Sequence, residues 1–148
     1  TDVAALVQDE TALWGISPKS ITFEIPNHAA KDLVIALGLE RIRQVGVGVT
    51  VTGLNSSDAH LVHLLNLPAD TIKLDSRFVA SLETNVTDQR IAAAAIDKCH
   101  KAGFVVAADG IESAETAEFL RSAGCDLGQG YYLGSPMTAE QYELLVRP

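Results

Sequence analysis

Asn66-Leu67-Pro68-Ala69-Asp70-Thr71-Ile72-Lys73-Leu74-Asp75 is the stretch on which the reading of the chain turns. Pro68 ends a helix, because its ring disfavours helical backbone in the residue before it, and the polar residues around it mark a turn. Residues 71–75 then read as a strand, with β-branched or apolar side chains at 71, 72 and 74. A strand buried on both faces is a near-continuous apolar run. Lys73 and Asp75 interrupt this one two residues apart, so both point to one face. Two charges at the end of a buried strand are costly unless they are paired or open to a cleft. Spacing alone leaves two readings open: a Lys73–Asp75 ion pair of little weight at the surface, or a polar site at the mouth of a β/α sheet.

Outward from this strand, segments near 21–25, 45–51, 104–109 and 127–133 also read as strands. Helical patterns separate them. Residues 2–14 carry a stripe of Val3, Leu6, Val7 and Leu13, stopped by Gly15. Residues 28–44 follow Asn27 as a candidate cap, and Gly38 is a weak point that can split them. Short helices are expected over 58–66 and 76–84, the latter packing Phe78, Val79 and Leu82. The clearest helix spans 86–102, with Ile91, Ala94, Ala95 and Cys99 on one face. Ser113 caps a helix over 114–123, and Thr138-Ala139-Glu140-Gln141 is a capping box opening the last one.

Strands alternating with helices predict an α/β fold of parallel β/α units. A Rossmann-type open sheet lacks support, since no strand is followed by G-x-G-x-x-G. In the rival barrel arrangement, functional residues sit at the C-terminal ends of the strands. Those positions are Glu24, Thr52, Asp75, Asp109 and Gln129, three of them carboxylates.

The chain has 148 residues, a net charge of −8 and a sequence pI near 4.8. Acidity argues against nucleic acid and against membrane-surface binding, both of which need clustered Lys and Arg. No apolar run approaches the ~20 residues of a membrane span, and no basic leader opens the sequence, so a cytoplasmic protein is expected. Cys99 and Cys125 read as free thiols in a reducing compartment. A helical pattern already running at Thr1 suggests a piece of a longer protein.

Several ordered motifs resemble one family over essentially the whole length. Leu67-Pro68-Ala69-Asp70-Thr71-Ile72-Lys73-Leu74-Asp75-Ser76-Arg77-Phe78-Val79 is similar to the "LP-D-IKID-SFV" segment of EAL domains, the bacterial cyclic di-GMP phosphodiesterases. Ile21-Thr22-Phe23-Glu24-Ile25 resembles the family's strand ending in a metal-binding glutamate. Ala108-Asp109-Gly110-Ile111-Glu112 resembles "AEGVE", and Gly124-Cys125-Asp126 with Gln129 through Met137 resembles "GCD…QGYYFSKPM". The resemblance implies a partial, incomplete TIM-like barrel, with residues 1–148 as the C-terminal two thirds of the domain.

It also implies two-metal phosphodiester hydrolysis, in which carboxylates hold two Mg²⁺ or Mn²⁺ ions and a bridging water attacks. Glu24 and Asp109 then match metal ligands, Asp109 one methylene shorter than the family's glutamate. Lys73 matches the residue that orients the attacking water. Gln129, Asp75 and Glu112 match the ligand-binding positions. The family's signature Glu and its Asn ligand lie upstream of this chain. Its adjacent aspartates, one of which bridges both metals, align with Thr52 and Gly53, and the glutamate that holds their loop aligns with Asn27.

Glu24, Asp109 and Lys73 are therefore read as vestigial, with Lys73 and Asp75 a retained ion pair and no cofactor needed. Asp109 and Glu112 are expected to hold the Gly110 turn, and Tyr131 and Tyr132 to bury their rings. His60 and His63, three residues apart on a short helix, are a weak zinc pair. The reading that follows is a catalytically inactive EAL-like module acting by protein–protein interaction, through a homodimer or another signalling domain. Two alternatives stand beside it: a cyclic di-GMP receptor without turnover, and a working phosphodiesterase using other carboxylates such as Asp58. Five strands cannot close an eight-stranded barrel. A homodimer, strand exchange or a smaller sheet covered by helix 2–14 is expected.

Overall fold

The computed structural model describes residues 2–56 and 65–147. Helix α1 (Val3–Trp14) is capped by Asp2, whose carboxylate accepts the Ala4 and Ala5 amides, and ends at Gly15. Strand β1 (Thr22–Pro26), helix α2 (Leu33–Val45) and strand β2 (Gly48–Leu54) follow. Then come β3 (Thr71–Leu74), α3 (Ser76–Ser81), α4 (Val86–Lys101), β4 (Val105–Ala108), α5 (Ala114–Ser122), β5 (Leu127–Gly128) and α6 (Ala139–Val146).

The five strands form one parallel sheet in the order β1-β2-β3-β4-β5. Sequential order is the signature of a singly wound, TIM-barrel-like sheet and excludes the strand reversal of a doubly wound one. Among the described residues the sheet does not close: β1 and β5 are its edges. Alternation gives it two unlike faces. One carries Val49, Val51, Ile72, Leu74, Val106 and Ala108, all buried. Leu39 and Ile42 of α2, Phe78 and Val79 of α3, Ile96 and Cys99 of α4 and Leu120 of α5 join them in one core. The other, concave face carries Thr22, Glu24, Thr50, Thr52, Thr71 and Lys73, brought into line by the ladder register.

Several sequence expectations are corrected. Helix α1 begins at Val3, with Asp2 as its cap and not its first turn. Its buried side is Ala4 and Thr11 with Val7 beside them, while Val3, Leu6 and Leu13 are exposed. Small side chains let α1 approach α2, its main partner. Asn27 caps no helix: a 3-10 turn at Ala29–Lys31 intervenes, Asp32 caps α2, and Gly38 leaves α2 unbroken. Helix α2 runs through Val45, so β2 starts only at Gly48 and extends to Leu54. The α4 stripe is Ala92, Ala95, Ile96 and Cys99, with Ala94 exposed. The strand expected over 127–133 is two residues long, because the chain turns at Gly130. The helix expected over 58–66 lies outside the described residues except for Leu65 and Asn66, which form a turn. His60, His63 and Asp58 fall there too.

The N-terminal end of the sheet is held by one device used twice. Asp70, just before β3, donates its backbone N–H to the Val49 carbonyl (2.8 Å) and accepts the Val49 N–H on Oδ2 (2.8 Å). Arg43, near the end of α2, donates to Oδ1 from Nε and Nη2. Asp126, just before β5, does the same to Val106, its N–H to the carbonyl at 2.9 Å and its Oδ2 to the amide at 2.7 Å. Its basic partner is His100, near the end of α4, with Nε2 2.8 Å away. Each aspartate satisfies a strand-end amide that burial would otherwise leave without a partner.

Asp70→Ala orphans the amide of fully buried Val49 and is expected to cost about 1–3 kcal/mol in urea unfolding at neutral pH; no loss of stability would contradict this role. The Val106 amide, and to a lesser extent the His100 ring, hold the Asp126 carboxyl below the usual range against the opposing effect of burial. A depressed folded value stabilises above the unfolded one and is lost as the pH falls, here below about pH 4. Asp126→Asn is therefore expected to flatten the acid limb of stability against pH, with unchanged steepness the contrary result.

Candidate functional site

Lys73 occupies the central strand, and its buried side chain rises from the concave face to the mouth formed by the strand C-termini. Nζ donates to Glu24 Oε1 at 3.0 Å and Oε2 at 3.3 Å, and to Gln129 Oε1 at 3.0 Å. Asp109 Oδ2 stands 3.9 Å away. Glu24 lies on β1 and Gln129 follows β5, so each sits two strands from Lys73. Two strand spacings are about 9–10 Å in a flat sheet. Curvature and three long side chains bring the groups together, and the ammonium ties both edges of the arc to its centre. Only 9% of the Lys73 side chain is exposed, against 52% of Glu24 and 42% of Asp109, so the cation is buried and its counter-charges face water.

The expected Lys73–Asp75 ion pair is not formed. Strand β3 ends at Leu74, and Asp75 turns its carboxylate onto the Arg77 amide at 2.9 Å to cap α3. Periodicity of two does not carry past the end of a strand. The Gly110 turn is held by the Ile111 N–H on the Gln129 carbonyl (3.0 Å) and not by the carboxylates of Asp109 and Glu112. Tyr131 and Tyr132 lie in the turn after Gly130 with their rings exposed, not buried.

Thr52 and Gly53 stand at the end of β2, opposite Lys73. The register slips between Thr52 and Leu54, and Gly53 forms the bulge at φ +94°. Side chains other than glycine avoid that conformation, so an aspartate at 53 would be strained here. Asn27 closes over the bulge: its N–H donates to the Thr52 carbonyl at 2.9 Å, while its buried Oδ1 has no hydrogen-bond partner among the described residues. These residues, with His28, Asp75, Ser76 and Asp109, line a cavity of about 440 Å³ at the mouth.

A two-cation centre needs several carboxylate oxygens aimed at common points. Among the described residues no three of His, Cys, Asp or Glu gather in that way. Glu24 and Asp109 do converge, but on the ammonium of Lys73. Thr52 offers a neutral hydroxyl, Gly53 nothing, and Asn27 one neutral oxygen. This donor set does not fit a pair of divalent cations. What it can do is hold a charged network rigid beside an open, acidic cleft.

Sequence reasoning found Glu24, Lys73, Asp109 and Gln129 but missed that Gln129 binds Lys73, and missed His28 and Asn27 as cavity walls. No local pattern signals contacts between strands so far apart in the chain.

The network makes an asymmetric prediction. Lys73→Met leaves two half-exposed carboxylates that water can solvate, at a cost of about 1 kcal/mol. The double change Glu24→Gln with Asp109→Asn leaves a buried ammonium without a counter-charge and is expected to cost about 3 kcal/mol. Urea unfolding of both variants checks the order, and the reverse order would overturn the account of the site.

The model of the EAL domain family matches residues 3–136. The biofilm architecture maintenance protein MbaA of Vibrio cholerae is 31% identical over 140 residues, which are 94% of this chain and 17% of that protein. The bifunctional diguanylate cyclase/cyclic di-GMP phosphodiesterase MucR of Pseudomonas aeruginosa is 33% identical over 131 residues, covering 85% of this chain and 19% of MucR. The chain thus spans about a fifth or less of the length of these relatives. Among solved structures, the EAL domain of Mycobacterium smegmatis DcpA superposes with a TM-score of 0.86 at 28% identity, over 97% of this chain and 65% of that one. Motifs, fold and match over nearly the whole length lead to one conclusion: the chain belongs to the EAL domain family.

Proposed function

We propose that this chain is a non-hydrolysing EAL module of cyclic di-GMP signalling that works by binding, chiefly by contact with another protein. One observation carries the reading. The carboxylates that a metal centre would draw on are engaged by the Lys73 ammonium, and by the sequence resemblance Thr52 and Gly53 align with the family's bridging aspartates. Without bridged cations, no water at the mouth gains the acidity that hydrolysis requires. Glu24, Lys73 and Asp109 are then remnants of a catalytic centre kept for structure, and Asp75 keeps its place as the cap of α3.

The whole chain acts as one unit, the C-terminal two thirds of a barrel. Its flanks support the choice of a protein partner, a second copy or another signalling domain. Val34 and Leu37 lie exposed beside the β1 edge and Leu144 and Leu145 on α6, apolar side chains of the kind a partner surface covers. No described helix is long and apolar enough to cross a membrane. A cytoplasmic place suits a signalling module of this kind.

The open cleft of about 440 Å³ favours a second reading, a receptor that binds cyclic di-GMP without turnover. The acid lining of Glu24, Asp75 and Asp109 weighs against it, because a dianion there meets like charge. Turnover would draw on carboxylates outside the described residues, Asp58 among them, with Mg²⁺ or Mn²⁺ as cofactor.

Isothermal titration with cyclic di-GMP, with and without Mg²⁺ or Mn²⁺, tests the three readings when the same samples are assayed for hydrolysis product. No product in either case is expected. Heat of binding without product would move the function to the receptor, and metal-dependent product would overturn the proposal.

A further inference from the structure

Among the described residues, the large apolar side chains that stand exposed lie, Val86 and Val105 apart, on two flanks. One runs from Val3 to Leu37 beside the β1 edge, the other from Leu127 to Val146 beyond the β5 edge. β1 and β5 are opposite edges of the sheet, and within one copy neither flank covers the other.

The first flank is concave. The start of α1, the outer side of β1 and α2 from Val34 to Ile42 enclose a groove of about 650 Å³. Phe23 and Ile25 belong to its lining, with Val3, Val34 and Leu37 beside them. Gly38 also lines it, in the middle of α2. Its φ is not positive, and a Cβ built there would meet nothing within 4 Å. Alanine would therefore fit, and alanine is the better helix former. A single copy gains nothing from this glycine. A body lying along α2 does, because a missing Cβ lets it come close to the backbone.

The second flank carries a helix that its own chain leaves bare. Helix α6 has eight residues, none of them buried. Helices shorter than ~12 residues are marginal in water and take their stability from packing. The capping box of Thr138 and Gln141 secures only the first turn. Tyr142, Leu145 and Val146 fall on one side of α6 at helical spacing, exposed by 56%, 69% and 54%. Glu140 and Glu143 add acid charge to this helix. At the rim of the groove Arg41 remains 64% exposed, although it is bonded to Asp2. A convex apolar helix bearing carboxylates thus matches a concave apolar groove bearing a guanidinium.

We propose that α6 of one copy docks in the α1–β1–α2 groove of a second copy, and that a twofold axis makes the contact twice. One species then supplies both missing surfaces, whereas a groove-to-groove dimer would leave α6 bare. Stable complexes bury about 1,600 Å² in total, so a contact made twice needs only about 400 Å² from each flank. The inference deepens the proposed binding role by naming the partner as a second copy, and it rests on that reading for the use of the contact in signalling.

The test is sedimentation equilibrium of the full chain and of two variants, separately and mixed. The wild type is expected at twice the 15.7 kDa of one chain. Gly38→Glu fills the groove from a position with open space around it, and Leu145→Glu charges the exposed face of α6. Each is expected to weaken association tenfold or more while keeping the wild-type circular dichroism and urea midpoint. Val86→Glu, on α4 away from both flanks, leaves the dimer unchanged. An equal mixture of Gly38→Glu and Leu145→Glu associates again, because one of its two contacts joins a native groove to a native α6. A monomeric wild type, an assembly larger than two chains, a dimer indifferent to Leu145→Glu, or a mixture that stays monomeric would overturn the proposal. Turnover of cyclic di-GMP would remove the non-hydrolysing role and leave this contact standing, so the two can fail separately.

Discussion

The ammonium of Lys73 sits on the central strand of a five-stranded arc and reaches Glu24 toward one edge and Gln129 toward the other. Burial makes that charge expensive to leave alone, so its partners have to converge. Convergence across four strand spacings is possible only in a curved sheet. The curvature that forms the concave face and the charge that fills it therefore imply one another. The same contact sets the charge at the mouth, where Glu24 and Asp109 converge on the ammonium.

The two ends of the sheet divide the labour. At the N-terminal end Asp70 and Asp126 bond both backbone groups of the strand alongside and recruit Arg43 and His100. These groups serve stability, and Arg43 and Asp70 also border a cavity of about 500 Å³. At the C-terminal end carboxylates line two cavities that meet at Asp109. Barrel folds generally separate stability from function in this way. Here Lys73 fixes the shape of the C-terminal end, and Glu24, Asp75 and Asp109 give it its acid lining.

Much of the fold was legible in the sequence, since Thr71 to Leu74, Val105 to Ala108 and the α4 helix carry strong local patterns. The α1 face was misread because apolar spacing picked out Val3, Leu6 and Leu13, while packing against α2 selected the smaller Ala4 and Thr11. The strand after Leu127 was read too long because close approach of Gly130 to Ile111 is a tertiary constraint without a local signal. The site was half legible. The residue types at strand ends named Glu24, Lys73, Asp109 and Gln129, but their partners were not, and Lys73 was paired with its neighbour Asp75 when it reaches across 49 residues to Glu24.

The claim on which the account stands is that Glu24 and Asp109 belong to Lys73. Anomalous scattering from crystals of this chain grown with Mn²⁺ and cyclic di-GMP tests it directly. The account predicts no manganese peak within bonding distance of either carboxylate and a Lys73 Nζ still on Glu24. A manganese ion bound to Glu24 or Asp109, with Lys73 displaced, would contradict it.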